Sequence, residues 1–428
     1  MLGLVFGVFL IAMLLALPMA VGIGIATLVP HLLNSSFPGT VNYIIQGMVG
    51  GLNTTPILAI PLFMLSGALM TRGGISKKLF DIFSIFAGTR TAGIPCAVVV
   101  TCLFYGAISG SGPATAAAVG AMCIPILVEL GYDKVFAAAI VATAGGLGVV
   151  IPPSIPFIMY GLFTNTSVGD MFTAGILPGC LIALTIMAYC WYYCKHHGED
   201  KAKIAEKYNA LKQRGFVHVF LDGFWALLTP VIILGGIYGG FVTPTEAACV
   251  SVFYALIVCL FLYKTIRLRD IPQMLKDAIT SYAPICMLIG MATGFSRILV
   301  LLRASDALQQ LITTFIHSSL SLFLVINVLL LILGMFMDVG AAVVIIAPIL
   351  LPVAQSFGIS PVHLGVVMVT NLAIGFVTPP FGMNLFVAAP LVNVPVASLG
   401  KRALPFILCF ILALGLITFI PQISLALL

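Results

Sequence analysis

Four short stretches of this sequence carry backbone and side chains able to bind ions. Two run from glycine to a double proline, Gly145-Gly-Leu-Gly-Val-Val-Ile-Pro-Pro-Ser154 and Ala373-Ile-Gly-Phe-Val-Thr-Pro-Pro-Phe-Gly-Met-Asn384. Each double proline removes two amide donors and clashes with the preceding turn, while the nearby glycines tolerate unwound backbone, so carbonyl oxygens are freed. The other two are polar interruptions of apolar runs, Ser109-Gly-Ser-Gly-Pro113 and Met337-Asp-Val-Gly340. Ser109, Ser111 and Thr115 supply hydroxyls in the first half of the chain, and Asp338, Thr378 and Asn384 supply oxygens in the second. Carbonyls and hydroxyls are hard ligands suited to Na⁺, and the half-helix N-termini after each break carry partial positive charge suited to a carboxylate. Prolines that merely kink buried helices would not account for paired Pro-Pro breaks beside polar tips in both halves.

Asp338 and Glu246 are the acidic residues set deepest among apolar sequence. An unpaired intramembrane carboxylate costs at least about 2.5 kcal/mol, which makes Asp338 a candidate for direct or indirect cation binding. Glu246 follows Thr243-Pro-Thr245 and reads instead as a cap on a helix N-terminus. Ser109-Gly-Ser-Gly-Pro113 lacks the lysine of a phosphate loop and Gly400-Lys401 lacks the earlier glycine, so ATP is not the direct energy source. No HExxH, CxxC or GxSxG pattern supports hydrolysis, and the chain is expected not to be an enzyme. Eight of the ten cysteines sit inside apolar runs as small core residues; only Cys190 and Cys194, with His196 and His197 nearby, could conceivably hold a metal. No cofactor is expected beyond Na⁺ as the coupling ion.

The elements that must position these groups lie in a bilayer. Of 428 residues 61% are hydrophobic and 7% charged, against roughly 25% charged in a soluble domain. With a mean hydropathy of +1.21, this excludes a soluble enzyme, a nucleic-acid binder or a secreted scaffold. The apolar first residues, without a basic region or cleavage site, read as a first membrane segment rather than a signal peptide. Spans are expected near 1–16, 19–33, 44–70, 134–163, 171–194, 216–241, 246–263, 278–302, 362–390 and 403–427. The runs 95–130 and 319–356, each interrupted midway by a polar tip, are expected to be helical hairpins that leave the membrane by the side they entered.

The chain is internally duplicated. At an offset of 227, Pro125 matches Pro352, Gly131 matches Gly358, Thr143 matches Thr370, Gly148 matches Gly375, and Pro152-Pro153 match Pro379-Pro380. Upstream, Pro18 pairs with Pro244, and Pro61-Leu-Phe-Met-Leu-Ser-Gly67 resembles Pro284-Ile-Cys-Met-Leu-Ile-Gly290. The hydrophilic stretch 195–215 divides the repeats, 1–194 and 216–428. With five spans per repeat the halves are inverted. An external N-terminus then puts 17 of the 19 basic residues inside, namely Arg72, Lys77, Lys78, Arg90, Lys134, the six of 195–215, Lys264, Arg267, Arg269, Lys276, Lys401 and Arg402. Only Arg297 and Arg303 fall outside, so both termini are expected to be periplasmic and 195–215 cytoplasmic. The fold class is an all-α integral membrane protein of two inverted repeats, each with a re-entrant hairpin and a broken helix, the pattern of secondary transporters.

Leu15-Ala-Leu-Pro-Met-Ala20, Ile60-Pro-Leu-Phe-Met-Leu-Ser-Gly67, Ser109-Gly-Ser-Gly-Pro-Ala-Thr-Ala-Ala117, Ile151-Pro-Pro-Ser154 and Val377-Thr-Pro-Pro-Phe-Gly-Met-Asn384 resemble the large membrane subunit of tripartite ATP-independent periplasmic (TRAP) transporters, over essentially the whole chain. The resemblance implies a bacterial inner-membrane, Na⁺-driven importer of an organic acid, C4-dicarboxylates and sialic acids being family substrates. It implies delivery by a periplasmic binding protein and a small four-helix membrane subunit, expected here as a separate polypeptide. It also implies an elevator, in which a transport domain holding both hairpins and both broken helices slides against a scaffold of the early helices. One Na⁺ is implied between Ser109, Ser111 and the segment with Gly146, Val149 and Pro152; a second between Asp338, Gly340 and the segment with Gly375, Thr378 and Met383. No Arg or Lys falls in these segments, so serines, backbone amides and helix ends are the candidates for the substrate, around Ser111, Thr115, Pro153, Ser154, Pro380 and Asn384. Two other readings are a stand-alone anion or dicarboxylate exchanger of related two-hairpin architecture, and a channel or membrane scaffold.

Overall fold

The computed structural model describes residues 1–213, 215–316 and 318–428, and its described elements are helical. The first half comprises α1 (Leu2–Leu14), α2 (Met19–Leu33), α3 (Val41–Leu52), α4 (Ala59–Arg72), α5 (Ile75–Ala87), α6 (Gly93–Ser109) and α7 (Gly112–Glu129). It continues with α8 (Lys134–Gly145), α9 (Leu147–Val150), α10 (Ile155–Thr164) and α11 (Val168–His197). After the connecting α12 (Lys201–Gln213), the second half runs α13 (Phe216–Tyr238), α14 (Pro244–Ile257), α15 (Ile271–Leu301), α16 (Ala304–Phe315) and α17 (Ser319–Gly334). It ends with α18 (Val339–Ser356), α19 (Pro361–Gly375), α20 (Met383–Val392), α21 (Val396–Phe419) and α22 (Gln422–Leu425).

The hairpins expected at 95–130 and 319–356 are α6–α7 and α17–α18, and the broken helices are α8–α10 and α19–α20. Sequence punctuates them where chemistry requires. Asp133 accepts from Phe136 N at 2.8 Å to cap α8, Ser154 from Phe157 N at 3.3 Å to cap α10, and Ser318 from Ser321 N at 3.2 Å to cap α17. Thr243 and Glu246 form a reciprocal capping box on α14, the role expected for Glu246. Both Pro-Pro bonds, 152–153 and 379–380, are cis.

The broken helices form the centre. All of Phe136–Gly145 in α8 and His363–Gly375 in α19 are buried, as helices apolar on every side must be. The repeats interlock around them: α7 packs on α20, α18 packs on α10, and Asn384 Nδ2 donates to the Ala142 carbonyl at 2.8 Å.

Packing assembles two rims without reference to charge counting. On one, Arg72 pairs with Asp277 at 2.5 Å, Lys78 lies 4.0 Å over the Tyr263 ring, Phe86 meets Phe216, and Arg402 covers Tyr193. On the same rim the Glu199 carboxylate accepts from Ala92 N at 3.0 Å and from Tyr132 Oη at 2.5 Å, fastening both ends of the first hairpin. On the other rim the Thr245 hydroxyl reaches the Thr55 carbonyl at 3.4 Å, and Tyr160 Oη donates to the Pro361 carbonyl at 2.7 Å. The segments carrying the basic residues expected to be internal share the first rim; Arg214 lies outside the described residues.

Four expectations need correction. The runs near 1–16 and 19–33 form the paired helices α1 and α2, of 13 and 15 residues, shorter than the roughly 20 residues expected of a full span. Gly24 packs on Met291 and Phe6 on Phe295 of α15, and the turn at Pro18 lies beside Ile285. Ile285 is eight residues from the rim residue Asp277, so along α15 the turn stops about 12 Å short of that rim. The segment 44–70 breaks at Asn53-Thr54, before a 3-10 turn at Thr55–Leu58 where Pro56 cannot continue a helix donor ladder. Two amphipathic helices, α5 and α16, follow the third segment of each repeat and were not expected; they are too short and too charged to register as spans. Finally, 403–427 is not one span: α21 begins at Val396, and Pro421 separates it from α22.

Candidate functional site

At the first tip, Gly110 turns the chain with φ +62°, and a side chain there would press within 2.9 Å of the Pro153 carbonyl, so hairpin and broken helix meet backbone to backbone. Thr115 Oγ1 donates to the Ser111 carbonyl at 2.8 Å and lies 2.9 Å from Ser109 Oγ, so these hydroxyls tie the tip to itself. Ser154, fully buried, donates to the Val149 carbonyl at 2.5 Å. Gly146 sits at the helix break against the Ala373 carbonyl of the other repeat.

The second tip is built differently. Asp338 caps α18, its Oδ2 accepting from Gly340 N at 2.9 Å. Gly375 lies so close to Gly334 that an added Cβ would overlap the Gly334 carbonyl. Thr378 Oγ1 donates to the Ile374 carbonyl at 2.8 Å, and the Phe376 carbonyl accepts from Asn384 N at 2.9 Å across the Pro-Pro break. Asn384 is buried, and its Oδ1 has no hydrogen-bond partner among the described residues. Leaving such an acceptor unmet costs about 1–3 kcal/mol, which a cation or an ordered water would relieve.

The two tips converge on one cavity of about 440 Å³. Its walls include Ser111, Val149, Asp338, Gly340 and Met383 from the sequence-derived set. An adjoining cavity of about 500 Å³ shares Pro113, Asp338, Phe376 and Met383 and adds Gly375. Ser109, Thr115, Gly146, Pro152, Pro153, Ser154, Thr378, Pro380 and Asn384 line neither; they form the packed layer behind the walls or the neighbouring turns. The first cavity receives the N-terminal ends of four helices: α7 at Pro113, α10 at Ile155-Pro156, α18 at Val339-Gly340 and α20 at Met383. Four helix N-terminal ends, each carrying partial positive charge, and one carboxylate therefore meet at this cavity, and its lining includes no lysine or arginine.

The opposite wall was missed by sequence reasoning: Pro18–Val21 at the α1–α2 turn and Pro284, Ile285 and Leu288 on α15. Their motifs had been singled out as repeat markers, but nothing local in them signals which distant turn they face. Cys190 and Cys194 are buried free thiols, and among the described residues no group of three or more His, Cys, Asp and Glu side chains comes together as a metal site.

The profile of the family described as tripartite ATP-independent periplasmic transporter, DctM component, matches residues 6–423. The isethionate TRAP transporter permease protein DctMQ of Oleidesulfovibrio alaskensis is 41% identical over 99% of this chain, which spans 65% of that longer relative. The C4-dicarboxylate TRAP transporter large permease protein DctM of Pseudomonas aeruginosa is 39% identical over 87% of this chain and 86% of its own length. Among solved structures, the YdaH transporter of Alcanivorax borkumensis superposes with a TM-score of 0.59 at 15% identity, over 89% of this chain and 88% of that one, a likeness of fold. The tips, breaks and multi-pass helical architecture are thus those of a transporter component and not of an enzyme, and the chain belongs to the DctM family of tripartite ATP-independent periplasmic transporters.

Proposed function

We propose that this chain imports a small organic acid, a sialic acid or C4-dicarboxylate, by Na⁺-coupled secondary transport across the bacterial inner membrane. The observation that carries the reading is the convergence of four helix N-termini and Asp338 on one cavity that lacks a basic side chain. Helix ends would hold the substrate carboxylate around Ser111 and the Pro-Pro turns, while tip and break oxygens would hold Na⁺. The basic rim would face the cytoplasm. A periplasmic binding protein would deliver the acid, and a small four-helix subunit would complete the permease.

An elevator suits the unequal surroundings of the repeats. The Pro18 turn faces both tips across the cavity, whereas its counterpart at Pro244 shares a hollow with Thr54-Thr55, Gly161 and Asn165–Ser167, at the far end of α10. Gly67, on which Ser109 rests, is five residues from Arg72 but twelve from Thr55, about 8 Å against about 18 Å along the helix. We read this as the transport domain (both hairpins and both broken helices) lowered toward the basic rim against a scaffold of α1–α4 and α13–α15.

Uptake into liposomes holding this chain and its small subunit, with substrate-loaded binding protein outside, should require Na⁺. Equal uptake in choline buffer would overturn the coupling. Uptake by the purified chain alone would favour the second reading, a stand-alone exchanger. For the elevator, cysteines at Ala20 and Ala341 in a background lacking native cysteines should be bridged by a short bifunctional reagent, and the bridge should arrest uptake. Undiminished uptake after bridging would show that these walls need not separate.

A further inference from the structure

Away from the two cavities at the hairpin tips, a hollow of about 340 Å³ is walled in part by Ala304, the residue after Arg303. Three separate elements wall it: Phe6 of α1, Ala304 and Ala307 of α16, and Leu329 and Ile349 of the second hairpin. The walls are apolar throughout, so neither an ion nor a carboxylate has a partner there. Leu324, Val328 and Leu329 of α17 leave an exposed apolar strip along its edge, a surface suited to hydrocarbon rather than water. Arg303, the residue before the wall residue Ala304, is exposed and forms no ion pair among the described residues. Among the described residues it is one of two lysines or arginines away from the basic rim, where the topogenic bias gives no reason for a positive charge.

We infer that this hollow is a phospholipid site: one acyl chain fills the apolar space between α1, α16 and the second hairpin, and the headgroup phosphate rests on Arg303. The chain's length of methylenes supplies the dispersion contacts the walls otherwise lack. The guanidinium offers the phosphate paired donors that a lone lysine would not. An anionic lipid is favoured over a zwitterionic one because Arg303 forms no ion pair among the described residues, even with Asp306 one turn along α16.

The test measures lipid directly, so its outcome is independent of the transport reading. The purified chain, exchanged into detergent with added phosphatidylglycerol or phosphatidylcholine and washed, is examined by native mass spectrometry for retained lipid. One phosphatidylglycerol per chain is expected to persist. Arg303→Gln, on an exposed turn that the fold does not depend on, should lower retention about fivefold, the worth of one arginine at an anionic surface, and erase the preference between the lipids. Ala307→Trp should fill the hollow and abolish retention of both lipids, with Ile349→Phe as the substitute if that variant misfolds. Retention unchanged in the filled variants, or an unchanged preference in Arg303→Gln, would overturn the site. Displacement of the lipid by the small subunit, one for one, would overturn it too and make the hollow a protein-docking surface.

Discussion

Ser111 and Asp338 hold the same place in the two repeats, immediately before the second arm of each hairpin, yet only Asp338 closes its helix with its side chain. Asp338 Oδ2 accepts from Gly340 N at 2.9 Å, whereas Ser111 Oγ makes no described hydrogen bond and faces the shared cavity. One tip therefore offers a free neutral oxygen, and the other a carboxylate half committed to its own helix.

Ser111→Ala is expected to raise the Na⁺ concentration needed for half-maximal uptake modestly, since one neutral ligand is lost. Asp338→Asn keeps the cap and the shape but removes a charge able to stabilise a cation, so it should impair coupling more strongly at near-normal protein levels. Asp338→Ala should in addition cost about 1 kcal/mol of stability for the missing cap. Unaltered Na⁺ dependence in both Ser111→Ala and Asp338→Asn, measured in liposomes, would mark the tips as structural turns only.

Sidedness can be read with cysteines at Ser36 and Ala202, both exposed and on opposite rims. In intact cells an impermeant thiol reagent should label position 36 and spare 202. The reverse pattern would invert the orientation assigned from the basic residues.

Gly375→Ala should be destabilising by about 1–3 kcal/mol, because its Cβ would run into the Gly334 backbone, which cannot swing aside as a side chain could. Gly415→Ala, with open space around the position inside α21, is the control and should leave the melting temperature unchanged or slightly raised, alanine being the better helix former. Equal melting temperatures for the two variants would show that α17 and α19 can separate at no cost.

The Tyr132 hydroxyl is held well above its usual range, first by burial and then by the hydrogen bond it donates to Glu199. A raised folded value means that its contribution to stability is complete below the unfolded value of about 10 and is lost as pH rises beyond it. Tyr132→Phe should cost about 1.5–3 kcal/mol near neutrality, the range for a hydrogen bond to a charged group. It should also flatten the fall in melting temperature seen on going above about pH 10. An identical alkaline fall in both proteins would place its origin elsewhere.

Much of this architecture is local and was therefore legible. The hairpin limits, the Pro-Pro breaks and the cap at Thr243–Glu246 follow from residues within a few positions of one another, and the structure reproduces them nearly residue for residue. Depth is not local. Residues 1–33 hold apolar runs of the right kind, but α1 and α2 are each held by α15, whose relevant residues lie more than 250 positions away, and those contacts set where Pro18 stops. For the same reason the cavity wall formed by Pro18–Val21 and Pro284–Leu288 was invisible, although both motifs stood out. The helices α5 and α16 escaped notice because a hydropathy reading averages over the face on which an amphipathic helix hides its apolar residues.

The interlocking of α7 with α20 has a consequence for how the chain is made. At about 5–20 residues per second, α20 leaves the ribosome roughly 13–50 s after α7 does. Through that interval the first hairpin must sit in the bilayer without its cover, and its tip is the uncharged one, whose Ser109 and Thr115 hydroxyls are already bonded to each other and to the Ser111 carbonyl. The second tip, with Asp338, emerges when α10 is in place to receive α18. A carboxylate waiting unpaired in the first position would bear at least about 2.5 kcal/mol throughout the delay. Order of synthesis thus favours the arrangement present here, the uncharged tip first and the charged tip second.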